Sequence, residues 1–244
     1  MTHEERLQIA RELAQKILDK HGDNVTAIAI YGSTAKGEDG PHSDLDLWVA
    51  TRQPMDDTRF FVYRGMPISI NWDTEEGRIR SAGRVTSFWP MDADEFRSYI
   101  VLFERGDFIR KLQEAAKALK EEDFTNSVQV RMARTQESAN KVRQAWGRGD
   151  RYTLLAEARA LAWSVAMTLG VLNRRYYRSG RGFYQASKEM PLQPRDYARL
   201  LDLAGGFTTV EPAQVYNAGM QLWDNLVQLV GEVGIRWDFD EIPL

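Results

Sequence analysis

The stretch IYGSTAKGEDGPHSDLDLWV, at residues 30–49, constrains the fold of this chain more than any other segment. Its first apolar run ends at Gly32 and Ser33, before a loop rich in Gly, Pro and Asp. A second apolar run follows and carries Asp44 and Asp46. Two apolar runs separated in this way predict two β-strands joined by a loop. Because side chains alternate along a strand, the two aspartates point to one side and the neighbouring leucines to the other.

The residue types in this stretch are those of a metal and phosphate site. Two ionised carboxylates on one side of a strand repel each other and need a compensating cation. Mg²⁺ is commonly held by one or two carboxylates together with substrate phosphates. Gly32 allows the backbone to approach a ligand closely, and Ser33 with nearby N–H groups can hold phosphate oxygens, to which Lys36 adds a positive charge. The alternative is a solvated loop followed by an edge strand that exposes two acids.

Strands and helices alternate in the first half of the chain. A helix begins at a capping box formed by Thr2 and Glu5 and ends at Gly22. A hairpin turn is predicted at Arg64-Gly65. Four segments read as strand or hairpin: 24–31, 44–50, 60–72 and 99–104.

The second half has helical periodicity and few strand signals. Asp150 is a good N-cap for a long helix over 151–177, which Ser179-Gly180 would end. Further helices are predicted at 125–146, 194–204 and 211–233. We therefore predict an α/β domain at 1–121 and a helical domain at 122–244.

Composition excludes several classes of protein. With 43% hydrophobic and 27% charged residues, the 244-residue chain has the composition of a soluble globular protein. It contains no cysteine, which excludes disulfides, thiolate zinc sites and a cysteine nucleophile. A chain without cysteine fits the reducing cytoplasm, where we expect this protein to lie. The N-terminus lacks the pattern of a secretory signal, and no uninterrupted apolar run approaches the ~20 residues of a membrane span.

The formal net charge of −3 indicates which kind of substrate to expect. Proteins that act on nucleic acid are usually basic, so nucleic acid is not expected as the main substrate. A negative balance suits a cationic small molecule, although most acidic proteins bind none.

The order Gly-Ser, ten residues, Asp-x-Asp resembles the nucleotidyltransferase superfamily that includes DNA polymerase β. More narrowly, the chain resembles the kanamycin nucleotidyltransferase family, whose members are aminoglycoside 4′-O-nucleotidyltransferases. The matching segments run in the same order along most of the chain: YGSTAKGEDGPHSDLDLWV, INWDTEE, ESANK, GVLNRRYY and LWDNLVQLVGEVGIRWD.

This resemblance implies a fold, a reaction and an assembly. The fold is a polymerase β-like α+β domain with a mixed sheet, followed by an all-α helical bundle. The reaction transfers a nucleoside monophosphate from ATP or another nucleoside triphosphate to a hydroxyl, with Mg²⁺. The assembly is a homodimer with active sites at the subunit interface, to which the helical bundle contributes. The acceptor would be a small molecule, with a cationic sugar as one option.

The resemblance also assigns roles to single residues. Asp44 and Asp46 match the metal-binding pair. Gly32, Ser33 and Lys36 match positions that face the triphosphate, although a member of the family has arginine in place of the lysine.

Two further positions match on a predicted helix of the second half. Glu137 matches a general base, and Lys141 matches a lysine close to the phosphate. These residues are also four apart on a helix, a spacing that by itself favours a surface ion pair worth ~0.2–0.5 kcal/mol, and only the resemblance supports the catalytic roles.

The chain departs from the family at two acids. Ser69 stands where the family has a glutamate, and Phe60 or a neighbour stands where it has another. Those acids line the pocket for a polycationic sugar, so the departure leaves the acceptor open. Asp73, Glu75 and Glu76 could supply acid nearby, or could cap and solvate a helix.

Three functions remain open at this stage. The first is O-nucleotidyl transfer to a small molecule such as an aminoglycoside. The second is nucleotidyl transfer to a protein or RNA acceptor. The third is a non-catalytic regulator that binds nucleotide.

Overall fold

A computed structural model describes residues 1–55 and 58–239 of the chain, in two compact units. The first unit comprises residues 1–84 and 92–119. The second comprises residues 85–91 and the chain from 120 onward. Residues 85–91 thus belong with the helical part, although the predicted domain at 1–121 included them.

The first unit contains a five-stranded mixed sheet in the order β3-β4-β2-β1-β5. The second and fourth strands run parallel, and the other neighbouring pairs run antiparallel. This confirms the predicted α+β class with a mixed sheet. The strands are β1 (Val25–Tyr31), β2 (Leu45–Thr51), β3 (Arg59–Tyr63), β4 (Met66–Thr74) and β5 (Ile100–Glu104).

Helices cover the two faces of this sheet. Leucines and isoleucines on one face, including Leu47 and Ile68, pack with Ile9 and Ile17 of the first helix. On the other face, Trp48 packs among the later helices. The helices of this unit are α1 (His3–His21), α2 (Gly32–Ala35), α3 (Glu75–Ala82) and α5 (Phe108–Lys117), with a 3₁₀ turn at Ala93–Phe96 before β5. The short α4 (Trp89–Asp92) lies almost entirely in the second unit.

Several local predictions are confirmed in this unit. The capping box of Thr2 and Glu5 starts α1, and Gly22 caps its end with φ of 52°. The β3–β4 hairpin turns at Arg64-Gly65, where both residues have positive φ. One prediction was incomplete, because residues 32–43, expected to be a loop, begin with the single helical turn α2.

The second unit is helical, as predicted. It contains α6 (Glu121–Gly147), α7 (Arg151–Leu172), α8 (Phe183–Ser187), α9 (Tyr197–Ala204) and α10 (Pro212–Glu232). Asp150 caps α7 by accepting a hydrogen bond from the Thr153 N–H at 3.1 Å.

The predicted end of α7 was wrong. The helix ends at Leu172 rather than near residue 177, because Arg174 adopts a left-handed φ of 52° that an α-helix does not allow. The Arg175 N–H then donates to the carbonyl of Gly170 at 2.9 Å, which closes the helix end.

The helix α7 is long and apolar enough to cross a membrane by length and composition alone. In the structure 67% of its most apolar stretch is buried inside the protein, which is the behaviour of a core helix.

Candidate active site

The ends of β1 and β2 bring the glycine and the aspartates together. Tyr31, the last residue of β1, pairs with Asp46 of β2. Gly32 follows at once with a φ of 72°, and a Cβ built there would lie 2.6 Å from the Asp46 Oδ2. Asp44 stands one residue before β2. The predicted neighbourhood of glycine and carboxylates is therefore present, with glycine required both by conformation and by space.

Gly32, Asp44 and Asp46 meet at a corner between the ends of β1 and β2, and the two aspartates make this corner strongly acidic. Burial and the nearby charge of Asp44 raise the pKa of Asp46 to about 6. Among residues 1–55 and 58–239, no group of three or more His, Asp or Glu side chains could hold a metal ion. Two carboxylates suit a Mg²⁺ ion that also binds substrate phosphates, since that ion needs few protein ligands. The donor set therefore fits Mg²⁺ that arrives with a nucleotide.

The neighbouring strand carries no acid at the position beside Asp46. Ser69 of β4 pairs with Asp46, so the position beside the aspartate carries a hydroxyl. Asp73 lies farther along β4 and accepts a hydrogen bond from the Thr74 N–H at 2.7 Å. Glu75 lies within 3.7 Å of Lys111. These acids serve the start of α3, which supports the capping alternative.

Glu76 also makes its ion pair within α3. Its side chain is 87% exposed and pairs with Arg80 one helical turn later, at 3.4 Å. The pair has the spacing of an exposed helix ion pair, worth only a few tenths of a kcal/mol.

Lys36 lies in a buried ion pair. Its Nζ is 2.6 Å from the Asp94 Oδ2, and both side chains are less than a tenth exposed. The other oxygen of Asp94 accepts a hydrogen bond from the Ser98 hydroxyl at 2.8 Å. The lysine thus ties α2 to the turn before β5, a contact between positions 58 apart that the sequence did not indicate.

Ser33 lies in the turn after β1, with its side chain half-buried. Its carbonyl accepts hydrogen bonds from the N–H groups of Lys36 and Glu38, at 3.2 and 3.0 Å. These bonds fix the turn that follows Gly32, so the backbone at the predicted phosphate position is held in one conformation.

Tyr31 and Asn71 form a polar pair beside the aspartates that the sequence analysis missed. The Asn71 Nδ2 donates to the Tyr31 hydroxyl at 2.5 Å. Burial, with the charges of Asp46 and Glu95, raises the pKa of Tyr31 to about 12, so the phenol stays neutral at pH 7. A neutral phenol can donate its own hydrogen to a ligand. Only the cross-strand register reveals this role.

A second missed group is the clamp of Arg6 on the loop before Asp44. The buried guanidinium donates to Asp39 Oδ2 at 2.7 Å and to the carbonyls of Gly40 and Ser43 at 2.6 and 3.1 Å. Burial alone would raise the pKa of Asp39, but hydrogen bonds from His3 and the backbone, with Arg6, hold it below its usual range. The clamp fixes the backbone immediately before Asp44.

We expect Arg6→Met to lower stability by about 2 kcal/mol, because it leaves a buried carboxylate with fewer donors. Nucleotidyl transfer should fall several-fold as the loop before Asp44 loosens. Thermal denaturation and initial rates measure the two effects. The control is Arg11→Met, since this arginine on the same helix is exposed and makes a 3.2 Å surface pair with Glu4. Equal stability of the two variants would contradict the clamp.

Glu137 and Lys141 lie on α6 of the second unit. Their side chains form an ion pair at 2.9 Å, and both are about half exposed or more. A hydrogen bond and the charge of Lys141 lower the pKa of Glu137. In the free chain the pair is thus the surface ion pair that the spacing allowed, and its catalytic role stays a prediction.

Two protein-family profiles match the chain. Residues 106–236 match the family described as KNTase C-terminal domain, and residues 12–67 match the family described as polymerase beta, nucleotidyltransferase. The first match covers more than half of the 244 residues.

Two relatives match over almost the whole length of the chain. The chain is 26% identical to an aminoglycoside nucleotidyltransferase (4′) of Staphylococcus aureus, with 98% of both chains covered. It is 26% identical over the same shares to an aminoglycoside nucleotidyltransferase (4′) of a Bacillus species.

A solved structure has the same fold. The structure is that of a nucleotidyltransferase-like protein from Exiguobacterium sibiricum, 14% identical, with a TM-score of 0.54. The match covers 91% of this chain and 74% of that one.

Proposed function

We propose that this chain, which belongs to the kanamycin nucleotidyltransferase (KNTase) family and is a nucleotidyltransferase, moves a nucleoside monophosphate to a hydroxyl of a small molecule. The donor is ATP or another nucleoside triphosphate, and Mg²⁺ is required. The observation that carries this proposal is the contact of Gly32 with Asp46 beside Asp44. Acidic ligands for a cation and a backbone open to phosphate meet there.

Asp44 and Asp46 would hold Mg²⁺. When bound, this ion offsets charge on the phosphates and on the departing pyrophosphate. Partial burial and the charge of Asp44 already raise the pKa of Asp46, and a bound cation relieves both costs.

The turn after β1 would hold the phosphates. Gly32 leaves room beside Asp46, and the hydrogen-bonded turn places Ser33 next in line. Tyr31 is neutral and can donate a hydrogen bond toward the same corner. Lys36 acts mainly through its buried pair with Asp94, which holds this turn in place.

Glu137 would take the proton of the acceptor hydroxyl. Its low pKa in the free chain comes first from the hydrogen bond to Lys141. If a phosphate draws Lys141 away, the carboxylate loses that partner and becomes a stronger base. The ion pair would then keep the base weak until nucleotide arrives.

The acceptor class is suggested by the names of the relatives, which are aminoglycoside nucleotidyltransferases. Aminoglycosides are therefore included among the acceptors to test. A homodimer in the cytoplasm belongs to the same proposal.

The test is transfer from a triphosphate labelled at the α-phosphate to a panel of ring alcohols that includes kanamycin. We expect a labelled product and pyrophosphate release that need both an acceptor and Mg²⁺, and that stop with EDTA. Mg²⁺-dependent nucleotide binding without transfer to any hydroxyl would contradict the proposal.

Glu137→Gln should slow transfer about 100-fold or more, because the base is lost, while nucleotide affinity changes little. Single-turnover rates and nucleotide titration separate the two effects. The matched control is Glu122→Gln, an exposed acid near the start of the same helix. Unchanged turnover in Glu137→Gln would return the residue to a surface ion pair.

A further inference from the structure

The segment around Phe88 is held against the long helices of the second unit at both of its ends. The Ser127 hydroxyl of α6 donates to the carbonyl of Val85 at 2.7 Å. The Tyr177 N–H, beyond the end of α7, donates to the carbonyl of Pro90 at 2.7 Å. Phe88 lies between these two bonds and is 41% exposed, so its ring is fixed in place and still open to a ligand.

Phe88 belongs to a cluster with two arginines of α6 and a tryptophan of α7. The guanidinium carbon of Arg134 lies 5.7 Å from the centre of the Phe88 ring, and that of Arg131 lies 5.2 Å from the centre of the Trp163 ring. The two ring centres are 6.1 Å apart. At these distances the electron-rich face of each ring attracts the cation above it. We call Phe88, Arg131, Arg134 and Trp163 the Arg134 cluster.

The Arg134 cluster contains two positive charges and no negative charge. Arg131 is 1% exposed and donates to the carbonyl and the hydroxyl of Ser164, at 3.0 and 2.7 Å. Its Nε donates to none of the residues that the structure describes.

Neither arginine makes an ion pair with any residue in 1–55 or 58–239. Burial and the charge of Arg134 lower the pKa of Arg131 to about 10, so Arg131 still carries its charge at pH 7. A buried charge without a counter-ion costs folding free energy, and an anion bound at the cluster would offset that cost.

The carboxylate one helical turn away is already engaged. Arg134 contributes to the low pKa of Glu137, but the main cause is the hydrogen bond from Lys141, whose Nζ is 2.9 Å from the carboxylate. The charge of Glu157, on α7, also acts on Lys141. The three cations Arg131, Arg134 and Lys141 thus outnumber these two acids, and the excess positive charge lies at the cluster.

The order of residues along α6 indicates which substrate would bring the anion. The proposed base, Glu137, must reach the hydroxyl of the acceptor. Lys141 lies one turn beyond it, where the proposed function places a phosphate of the donor. Arg134 lies one turn before it, roughly 10 Å along the axis from Lys141 at 1.5 Å per residue. The two cations therefore lie on opposite sides of the base, and Arg134 is left for the acceptor.

We propose that the Arg134 cluster binds a phosphate or carboxylate group of the acceptor, and that the acceptor is therefore an anionic alcohol. An exposed guanidinium suits this role because it can donate two parallel hydrogen bonds to such a group. Arg131 is buried, so it would add its charge without touching the ligand. This inference rests on the proposed nucleotidyl transfer and names its substrate class. Polycationic sugars are then poor acceptors for this enzyme.

The first test measures binding without chemistry. Calorimetric titrations use the enzyme with Mg²⁺ and a non-hydrolysable ATP analogue, and three probes with one ring: glucose 6-phosphate, glucose and glucosamine. We expect glucose 6-phosphate to bind about 10-fold or more tightly than glucose at low ionic strength, as hydrogen bonds between charged groups predict. Added salt should reduce this preference by screening. Equal affinity for glucose 6-phosphate and glucose, or tighter binding of glucosamine, would overturn the proposal.

Variants locate the effect at Arg134. Arg134→Gln removes the charge and should reduce the preference for glucose 6-phosphate to about 2-fold or less. Arg134→Lys should keep part of it, because the charge remains without the planar guanidinium. Arg143→Gln is the matched control, since Arg143 is exposed on the same helix and, nine residues later, lies on its opposite side. It should keep the full preference. A preference that survives Arg134→Gln contradicts the assignment.

The same variants test the other occupants of the cluster. If Arg134→Gln weakens binding of the ATP analogue and leaves binding of glucose 6-phosphate unchanged, the cluster binds the triphosphate and its assignment to the acceptor is wrong. Sedimentation tests a second copy of the chain. A dimer that dissociates in Arg134→Gln but not in Arg143→Gln, with unchanged probe binding, makes the cluster a subunit contact and also overturns the assignment.

Two readouts separate this inference from its premise. If no hydroxyl is modified but the preference for glucose 6-phosphate depends on Arg134, the proposed transfer fails and the anion site stands. If transfer occurs and Arg134→Gln leaves kcat/KM unchanged for glucose 6-phosphate and for kanamycin alike, the transfer stands and the anion site fails.

Discussion

Replacing Asp46 by asparagine is expected to abolish nucleotidyl transfer and, at the same time, to stabilise the protein. Loss of one of two Mg²⁺ ligands should reduce kcat/KM by about 1000-fold or more. The stabilisation follows from the raised pKa of Asp46, which burial and the charge of Asp44 bring to about 6.

The sign of the stability effect is set by linkage. An aspartate whose pKa rises on folding contributes most below its unfolded pKa, and that contribution is lost as pH rises through its folded pKa of about 6. Above pH 7 the ionised Asp46 is therefore a net cost. Because the group is partly open to solvent, asparagine should recover only about 1–2 kcal/mol, or roughly 2–8 °C in Tm.

Calorimetry at pH 8 in EDTA and pyrophosphate release in Mg²⁺ measure these two effects. Asp224→Asn, which removes an exposed carboxylate on α10, should change neither quantity. Full activity of Asp46→Asn would remove Asp46 from the site. A lower Tm would show that the carboxylate has a stabilising partner.

Gly32→Ala is expected to damage both fold and activity. The backbone φ of 72° disfavours any residue with a Cβ, at about 1–2 kcal/mol. The new Cβ would also sit 2.6 Å from the Asp46 Oδ2, so the carboxylate or the turn must move. Together we expect a loss of about 2–4 kcal/mol and a fall in kcat/KM of about 100-fold.

Gly37→Ala is the control that carries the conformational cost without the close approach to a carboxylate. Its φ of 66° imposes a similar conformational cost, but a Cβ there meets nothing within 4 Å. This variant should lose about 1–2 kcal/mol and keep most of its activity. If the two alanine variants lose equal activity, the close approach of Gly32 to Asp46 has no catalytic value.

Some of the site could be predicted because its parts are close in sequence. Gly32 and Asp46 are joined by a single loop, so an antiparallel pairing of the two flanking strands is enough to bring them together. The residue types then indicate a cation and phosphate site. The caps at Thr2, Thr74 and Asp150 were predictable for the same reason, since each acts within one helical turn.

Other parts of the site depend on partners that have no local signal. Lys36 was expected to face phosphate, yet the structure pairs it with Asp94, 58 residues away. Arg6 lies in the first helix without any motif of its own, and only packing places it on Asp39 and the loop before Asp44. A buried charge without a partner costs folding free energy, so the tertiary structure must bring each of these cations to a carboxylate.

By itself the sequence determined the class of fold and the core of the chemistry: strands with alternating aspartates, a glycine turn, and helices with their caps. Those features follow from backbone periodicity and short-range hydrogen bonds, which a local pattern encodes. Tertiary structure alone decided what surrounds that chemistry. The register of β4 and β3 puts Ser69 beside Asp46 and Phe60 beside Ser69, because strand pairing is set by the whole sheet and its core.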